Sequence, residues 1–162
     1  MKKWLRCLLA VLLMGMLVGC REKTDSYSCG NMRFELPHSY GFRELENPSF
    51  DLVLYSEDRG IGVWINYLSK EELNLYMGME VDFRSFVDIS LVNVEVISDR
   101  QVGDHYLVTY KEAENDYMVY VYNLYYDEGG YYYSLMFDCL ESDYDVLRSK
   151  FEQWSEKVRF EG

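Results

Sequence analysis

Hydrophobic and polar residues alternate along seven separate stretches of this 162-residue chain. A period of two is typical of β-strands, because successive side chains of a strand point to opposite faces of the sheet. The stretches cover residues 31–36, 50–55, 61–68, 94–98, 104–111, 117–126 and 131–138. Polar or glycine-containing turns at 56–60 and 127–130 join neighbouring stretches as hairpins. The pattern predicts a largely antiparallel sheet.

Helical periodicity replaces the strand pattern in two regions. Ser69-Lys70-Glu71-Glu72 has the spacing of a capping box, which predicts a helix that starts there, is interrupted near Gly78 and resumes at about Asp82. A closing helix is predicted over 142–158. Its apolar residues recur every three or four positions, at Tyr144, Leu147, Phe151, Trp154 and Val158. The order of strands, helices, strands and helix predicts an α+β fold.

The N-terminus reads as a targeting segment. Three basic residues precede an apolar run over 8–18, which is too short to span a bilayer comfortably as a permanent helix. The run ends in Leu17-Val18-Gly19-Cys20, which resembles the lipobox of bacterial lipoproteins. The resemblance implies cleavage before Cys20 and a lipid on its sulfur. An ordinary secretory signal or an uncleaved anchor is disfavoured, because Gly19 directly precedes the cysteine and polar residues follow it.

We therefore divide the chain into a signal peptide over 1–19, a lipidated cysteine with a short tether over 20–29, and a single α+β domain over 30–162. The roughly 140 residues that remain after cleavage are enough for one domain with its own core. We expect an extracytoplasmic protein, anchored to the bacterial cell membrane by the lipid on Cys20.

The charge of the mature chain limits its partners. Cleavage removes three of the 16 basic residues and none of the 28 acidic ones, which leaves a formal charge of −15. Nucleic acid is disfavoured, because Lys and Arg are needed to hold a phosphate backbone. An anionic lipid surface would repel the domain as well. The expected partners are the membrane, through the lipid alone, and a protein of the cell envelope.

Several short motifs, in their order along the chain, resemble the PsbP/Mog1-like family of α/β/α sandwiches. They are Phe34-Glu35-Leu36-Pro37, Ser69-Lys70-Glu71-Glu72-Leu73, the tyrosine-rich hairpin and Lys150-Phe151-Glu152-Gln153-Trp154. The resemblance implies a central antiparallel sheet of about six to seven strands flanked by helices. Members of the family serve as accessory or interaction proteins of photosystem II or of a small GTPase. No residue here matches a partner-binding motif of either branch, so neither partner is carried over.

Residues typical of catalysis are sparse. The chain lacks the nucleophile-elbow, zinc-protease and phosphate-loop motifs, so we predict that it is not an enzyme and needs no cofactor. His38 and His105 are interpreted as surface imidazoles. Gly60-Ile61-Gly62 lacks the third glycine of a dinucleotide fingerprint and is interpreted as a turn. The acidic clusters at 112–116 and 141–145 lack the spacing of a calcium loop, so no metal site is predicted.

Eight tyrosines are concentrated on the hairpin between residues 117 and 133. Four of them form a candidate aromatic face for a glycan or a peptide, namely Tyr120, Tyr122, Tyr131 and Tyr133. The alternative is cross-strand packing, in which aromatic pairs stabilise the sheet. Packing is favoured, because helices on both faces of the sheet would cover most of these rings.

Two cysteines remain in the mature domain besides Cys20. Cys29 precedes the first predicted strand and Cys139 follows the last, and outside the cytoplasm they are candidates for a disulfide. The alternative is a pair of free thiols. We expect the disulfide.

Two classes of function follow. The preferred one is a non-catalytic accessory domain that binds a protein near the membrane. The alternative is a lipoprotein that binds or processes a small ligand, a glycan or peptide, on the tyrosine-rich hairpin.

Overall fold

The computed structural model describes residues 22–114 and 116–161. The predicted signal peptide and Cys20 lie outside these residues. Three helices are described, α1 (Lys70–Met77), α2 (Phe83–Ser90) and α3 (Tyr144–Ser155). The strands are β1 (Thr24–Cys29), β2 (Met32–Pro37), β3 (Arg43–Leu45), β4 (Leu52–Ser56), β5 (Ile61–Ser69), β6 (Glu95–Val102), β7 (His105–Glu114), β8 (Tyr117–Glu128), β9 (Tyr131–Leu140) and β10 (Arg159–Phe160).

Seven strands form the central sheet, in the order β3-β4-β5-β9-β8-β7-β6, and every neighbouring pair is antiparallel. The predicted α+β fold with a central antiparallel sheet of six to seven strands is confirmed. Hairpins join most neighbours, but β5 pairs with β9 across more than sixty residues of chain. Within the described residues, no helix is both long and apolar enough to cross a membrane.

A second, three-stranded sheet contains β1, β2 and β10. The prediction that residues 20–29 form a tether outside the domain is wrong for most of that segment. Residues Thr24–Cys29 pair with β2 along its whole length. Their sequence, TDSYSC, is polar because one side of this strand faces solvent, and it therefore looked like a linker. The domain begins at about residue 24, six residues earlier than predicted.

Different elements pack on the two faces of the central sheet. On one face, which we call the α3 face, α3 and the small sheet bury Phe137 beneath Phe151 and Trp154. On the other, the α1/α2 face, Phe86 of α2 stacks on Tyr132, with ring centroids 4.7 Å apart. The Tyr132 hydroxyl donates to the Val81 carbonyl at 2.8 Å, which ties the helix connection to the sheet.

The sequence signals for the helices are confirmed at their termini. The Ser69 hydroxyl accepts from the Glu72 N–H at the start of α1, and the Asp82 carboxylate accepts from the Ser85 N–H at the start of α2. Between them, Gly78 adopts φ +67°, a left-handed conformation that ends α1 and that glycine takes without strain. The predicted closing helix is a short 3-10 turn followed by α3, and it ends three residues earlier than expected.

Candidate functional site

The helices cover only half of the α1/α2 face. They pack over the end of the sheet where β9 begins, on Tyr125, Tyr132 and their neighbours. At the end where β9 finishes, the same face has no helix above it among the described residues. A concave surface of the sheet is therefore left partly open to solvent.

A cleft of about 560 Å³ occupies this uncovered half. We call it the Trp64 cleft and define it by Leu45, Tyr55, Trp64, Tyr117, Asp138 and Leu140. Its volume lies within the range of small-ligand sites, about 300–1,000 Å³. The residues come from five strands, so the cleft exists only once the sheet has assembled.

Strand register brings the polar centre of the cleft together. Gly62 on β5 lies directly opposite Asp138 on β9, and directly paired residues point to the same face of an antiparallel sheet. The Gly62 N–H donates to Oδ1 of Asp138 at 2.7 Å. The Trp64 Nε1–H donates to Oδ2 at 2.8 Å. Two N–H donors thus hold one carboxylate and fix the indole ring beside it.

Glycine is required at position 62 for this arrangement. A Cβ atom there would clash with the Asp138 carboxylate and lie 2.5 Å from Nε1 of Trp64. Glycine inside a strand often marks a close approach of this kind. The interpretation of Gly60-Ile61-Gly62 as a turn is thus correct only for Gly60, which has φ +58°, because Gly62 lies within β5.

Burial raises the pKa of Asp138 above its ordinary value. The two N–H donors act in the opposite direction, and the nearby Glu114 and Glu112 carboxylates add to the rise. Burial prevails because removing a carboxylate from water disfavours its charged form. The cleft therefore contains a carboxylate that would gain from a cationic neighbour.

This shift predicts a pH dependence of stability. The folded state holds the Asp138 proton more tightly than the unfolded chain, so the stabilisation from this group is full below its ordinary pKa of 3.8 and is lost as pH rises through the folded value. Asp138→Asn does not titrate. Urea unfolding between pH 7.5 and pH 4 should therefore show the wild type gaining stability relative to Asp138→Asn as pH falls towards the ordinary pKa of 3.8.

Asp58 is exposed in the β4–β5 turn, and Asp58→Asn controls for the loss of one charge in this comparison. An unchanged difference between wild type and Asp138→Asn across that range would contradict the raised pKa. At pH 7.5 itself, Asp138→Asn leaves one N–H donor without its acceptor, and we expect it to cost about 1–3 kcal/mol.

A second cavity, of about 460 Å³, lies on the same face between α2 and β5. Several of its polar side chains contact one another. The Ser134 hydroxyl donates to Oδ1 of the buried Asn123 at 3.0 Å, and the Tyr110 hydroxyl contacts the Met136 sulfur at 3.5 Å. Among the described residues, no buried side-chain polar atom is left without a hydrogen bond.

The four candidate tyrosines share one face, but it is the covered α3 face. Tyr122 and Tyr133 are buried, and Tyr120 stacks on Tyr144 of the α3 segment. Tyr131, the first residue of β9, is the one of the four that is exposed. Packing against α3 and the small sheet therefore uses these rings, and they do not form an open aromatic platform.

The predicted pairing of Cys29 with Cys139 is wrong in this structure, since both thiols are free and buried. Cys29 precedes the turn in which the Asn31 N–H donates to the Tyr133 hydroxyl. Cys139 lies six residues further along β9 than Tyr133, a separation of about 20 Å in a strand. A disulfide needs Cα atoms within about 7 Å. The two cysteines lie towards opposite ends of β9.

This geometry makes a direct prediction for the thiols. The unreduced, denatured mature chain carrying Cys20→Ser should give two reactive thiols per molecule with Ellman's reagent. The native protein should react slowly, because both are buried and burial raises their pKa values, to about 11 for Cys29 and about 12 for Cys139. A count near zero after denaturation would show that Cys29 and Cys139 are joined in a disulfide.

The histidines and acidic clusters do not assemble into a site. His38 contacts the Asp25 carboxylate at 2.8 Å, and His105 contacts Asp104 at 3.4 Å. Within residues 22–114 and 116–161, no group of three or more His, Cys, Asp or Glu side chains is placed to hold a metal ion.

Sequence reasoning missed Gly62, Trp64 and Asp138 as site residues. The usable signal was a glycine inside a strand, two positions before a tryptophan on the same face. Nothing local connects them with Asp138, because the pairing of β5 with β9 brings that residue in from 74 positions away.

Comparisons with known proteins support the fold. No protein-family model and no curated protein matches the chain. Among solved structures, cyanobacterial PsbP (CyanoP) from Synechocystis sp. PCC 6803 matches with a TM-score of 0.55 and 13% identity, covering 89% of this chain and 95% of that one.

Two further structures match to a similar degree. The Ran-binding protein Mog1p of Saccharomyces cerevisiae has a TM-score of 0.52 and 10% identity, covering 86% of this chain and 96% of that one. LpqN of Mycobacterium tuberculosis, which is involved in cell envelope biogenesis, has a TM-score of 0.52 and 12% identity, covering 88% and 92%. The chain therefore has a PsbP/Mog1-like fold.

Proposed function

We propose that this protein is a membrane-anchored extracytoplasmic lipoprotein whose domain is a non-catalytic accessory module that binds another envelope protein. The observation that carries the proposal is the half-covered α1/α2 face, which leaves an aromatic cleft open on an otherwise well-packed domain. The sequence Leu17-Val18-Gly19-Cys20 supports the anchor. Ran binding by Mog1p and the involvement of LpqN in cell envelope biogenesis support an accessory role on this fold.

The early start of β1 makes the proposed anchor short. Only Arg21, Glu22 and Lys23 separate Cys20 from β1, a reach of about 10 Å at 3.3–3.6 Å per residue. A lipid on Cys20 would therefore hold the start of β1 very close to the membrane surface. A partner of this domain therefore has to bind it close to the membrane.

Contacts near residue 22 indicate which end of the domain would face the lipid. The Ser39 hydroxyl donates to the Glu22 carboxylate at 2.8 Å, and the neighbouring Tyr40 carbonyl accepts from the Ser56 hydroxyl. Ser56 begins the β4–β5 turn, and Gly60 of that turn borders the Trp64 cleft. Glu22, two residues after the proposed lipidation site, and the cleft thus lie at the same end of the central sheet.

Chemical crosslinking of the native lipidated protein in its own membranes, followed by mass spectrometry, tests the proposal. We expect a reproducible partner that is lost or reduced when Cys20→Ser releases the domain from the membrane. Recovery of the domain alone, under conditions that capture other envelope complexes, would contradict the proposed function.

A further inference from the structure

We propose that the Trp64 cleft receives a lysine or arginine side chain from a basic segment of the protein partner. The inference rests on the proposed function, because it names the site and the chemistry by which the domain would bind a protein. Three observations carry it: the charge of the cleft, its aromatic walls and the apolar side chains at its edge.

The lining of the cleft is acidic. Asp138 and Glu114 are among the lining residues, and no Lys or Arg is among those the structure places there. Glu112 lies two residues before Glu114 on β7 and pairs directly with Val119, another lining residue. The basic residue nearest to the cleft in strand register is Arg43, on the edge strand β3. It pairs with Tyr55 but is not itself a lining residue. The charged side chains that line the cleft are therefore both carboxylates.

Asp138 has acceptor capacity left for such a cation. A carboxylate offers about four lone-pair sites, and the Gly62 and Trp64 N–H groups use two of them. A partly buried carboxylate held in place by two donors is preorganised, so little ordering would be needed when a third donor binds. An ammonium or guanidinium group would also offset the desolvation that this carboxylate now bears.

Aromatic rings and aliphatic side chains complete the match to a long basic residue. Trp64, Tyr55 and Tyr117 present rings at the cleft, and an ammonium or guanidinium group is attracted to the face of such rings. Leu45 and Leu140 are exposed at its edge. They offer an apolar surface on which the aliphatic part of a Lys or Arg side chain can pack while its charged group stays in a polar environment.

NMR titration of the mature chain, kept in solution by Cys20→Ser, tests the inference. The probe is the peptide Ac-Gly-Leu-Lys-Leu-Lys-Gly-amide. The Trp64 indole N–H signal, assigned with Trp154→Phe, should shift saturably because that group borders the cleft. Tyr117→Ala and Glu114→Gln should each weaken binding about three- to tenfold.

Matched variants at the opposite end of β5 separate site binding from general attraction to an acidic protein. Tyr76 is 87% exposed and Tyr117 is 65% exposed, so neither alanine variant removes a buried ring. Tyr76→Ala and Glu71→Gln, both on α1, should change the affinity less than twofold. Equal weakening by these controls would overturn the inference.

Two other probes complete the test. A peptide with glutamate in place of both lysines should leave the Trp64 signal unmoved, and equal binding would overturn the inference. Spermidine that binds as tightly as the lysine peptide would point to a free polyamine and overturn the protein partner. A membrane crosslink to a partner through another face, with no lysine-peptide binding, would leave the proposed function standing and remove only this site.

Discussion

Replacing Phe151 with alanine should lower the free energy of unfolding by about 3–5 kcal/mol, the usual cost of deleting a buried aromatic side chain. Phe151 is 0% exposed, stacks on Phe137 with ring centroids 5.3 Å apart and contacts Trp154. It therefore joins α3 to the middle of the central sheet. Because domains of this size are stable by only about 5–15 kcal/mol in total, the variant should lose a large part of its stability.

Urea denaturation followed by circular dichroism measures this loss. Val146→Ala is the matched control, because Val146 lies on the same helix and is 76% exposed. It should change stability by no more than about 0.5 kcal/mol. A loss below about 1 kcal/mol in Phe151→Ala would mean that α3 does not pack on the sheet as described.

Removing β1 should be equally damaging. A chain that begins at Gly30 lacks the strand that pairs with all six residues of β2, and it loses the buried Cys29 and the stack of Tyr27 on Phe34. The β2 strand would then keep only the two-residue β10 as a partner. We expect a loss of more than about 3 kcal/mol, from apolar burial and several backbone hydrogen bonds.

A chain that begins at Glu22 is the control for this truncation, and it should unfold at the same urea concentration as the mature protein. The comparison also decides where the domain starts, and hence how long the proposed tether is. Equal stability of the two truncated chains would place β1 outside the folded unit and return the boundary to residue 30.

The elements that could be predicted from sequence are those with strong local signals. The apolar stripe of α3, the Ser69 cap and the alternation along β5, β8 and β9 each follow from periodicity or from turn chemistry, and together they were enough for the α+β class. Strands β1, β3 and β10 were missed, because one is polar and the others are only three and two residues long. Such short edge strands form only when a neighbour offers its backbone.

The candidate site could not be predicted, because it depends on long-range register. Asp138 appeared in the sequence only as the last residue of a predicted strand, and its hydrogen bonds come from β5. The tyrosines that looked functional proved to be core residues, since the small sheet and α3 share one face and bury them. The open surface was instead on the opposite face, where the short helices α1 and α2 stop halfway along the sheet.

Photocrosslinking in the native membrane would show directly whether the anchored domain binds a partner protein. A benzophenone amino acid would replace Tyr117 at the Trp64 cleft or, as a control, Tyr76 on α1. We expect a protein adduct from position 117, little from position 76, and loss of the adduct when Cys20→Ser is added. Absence of an adduct from both positions, in membranes where other anchored proteins are captured, would contradict this expectation.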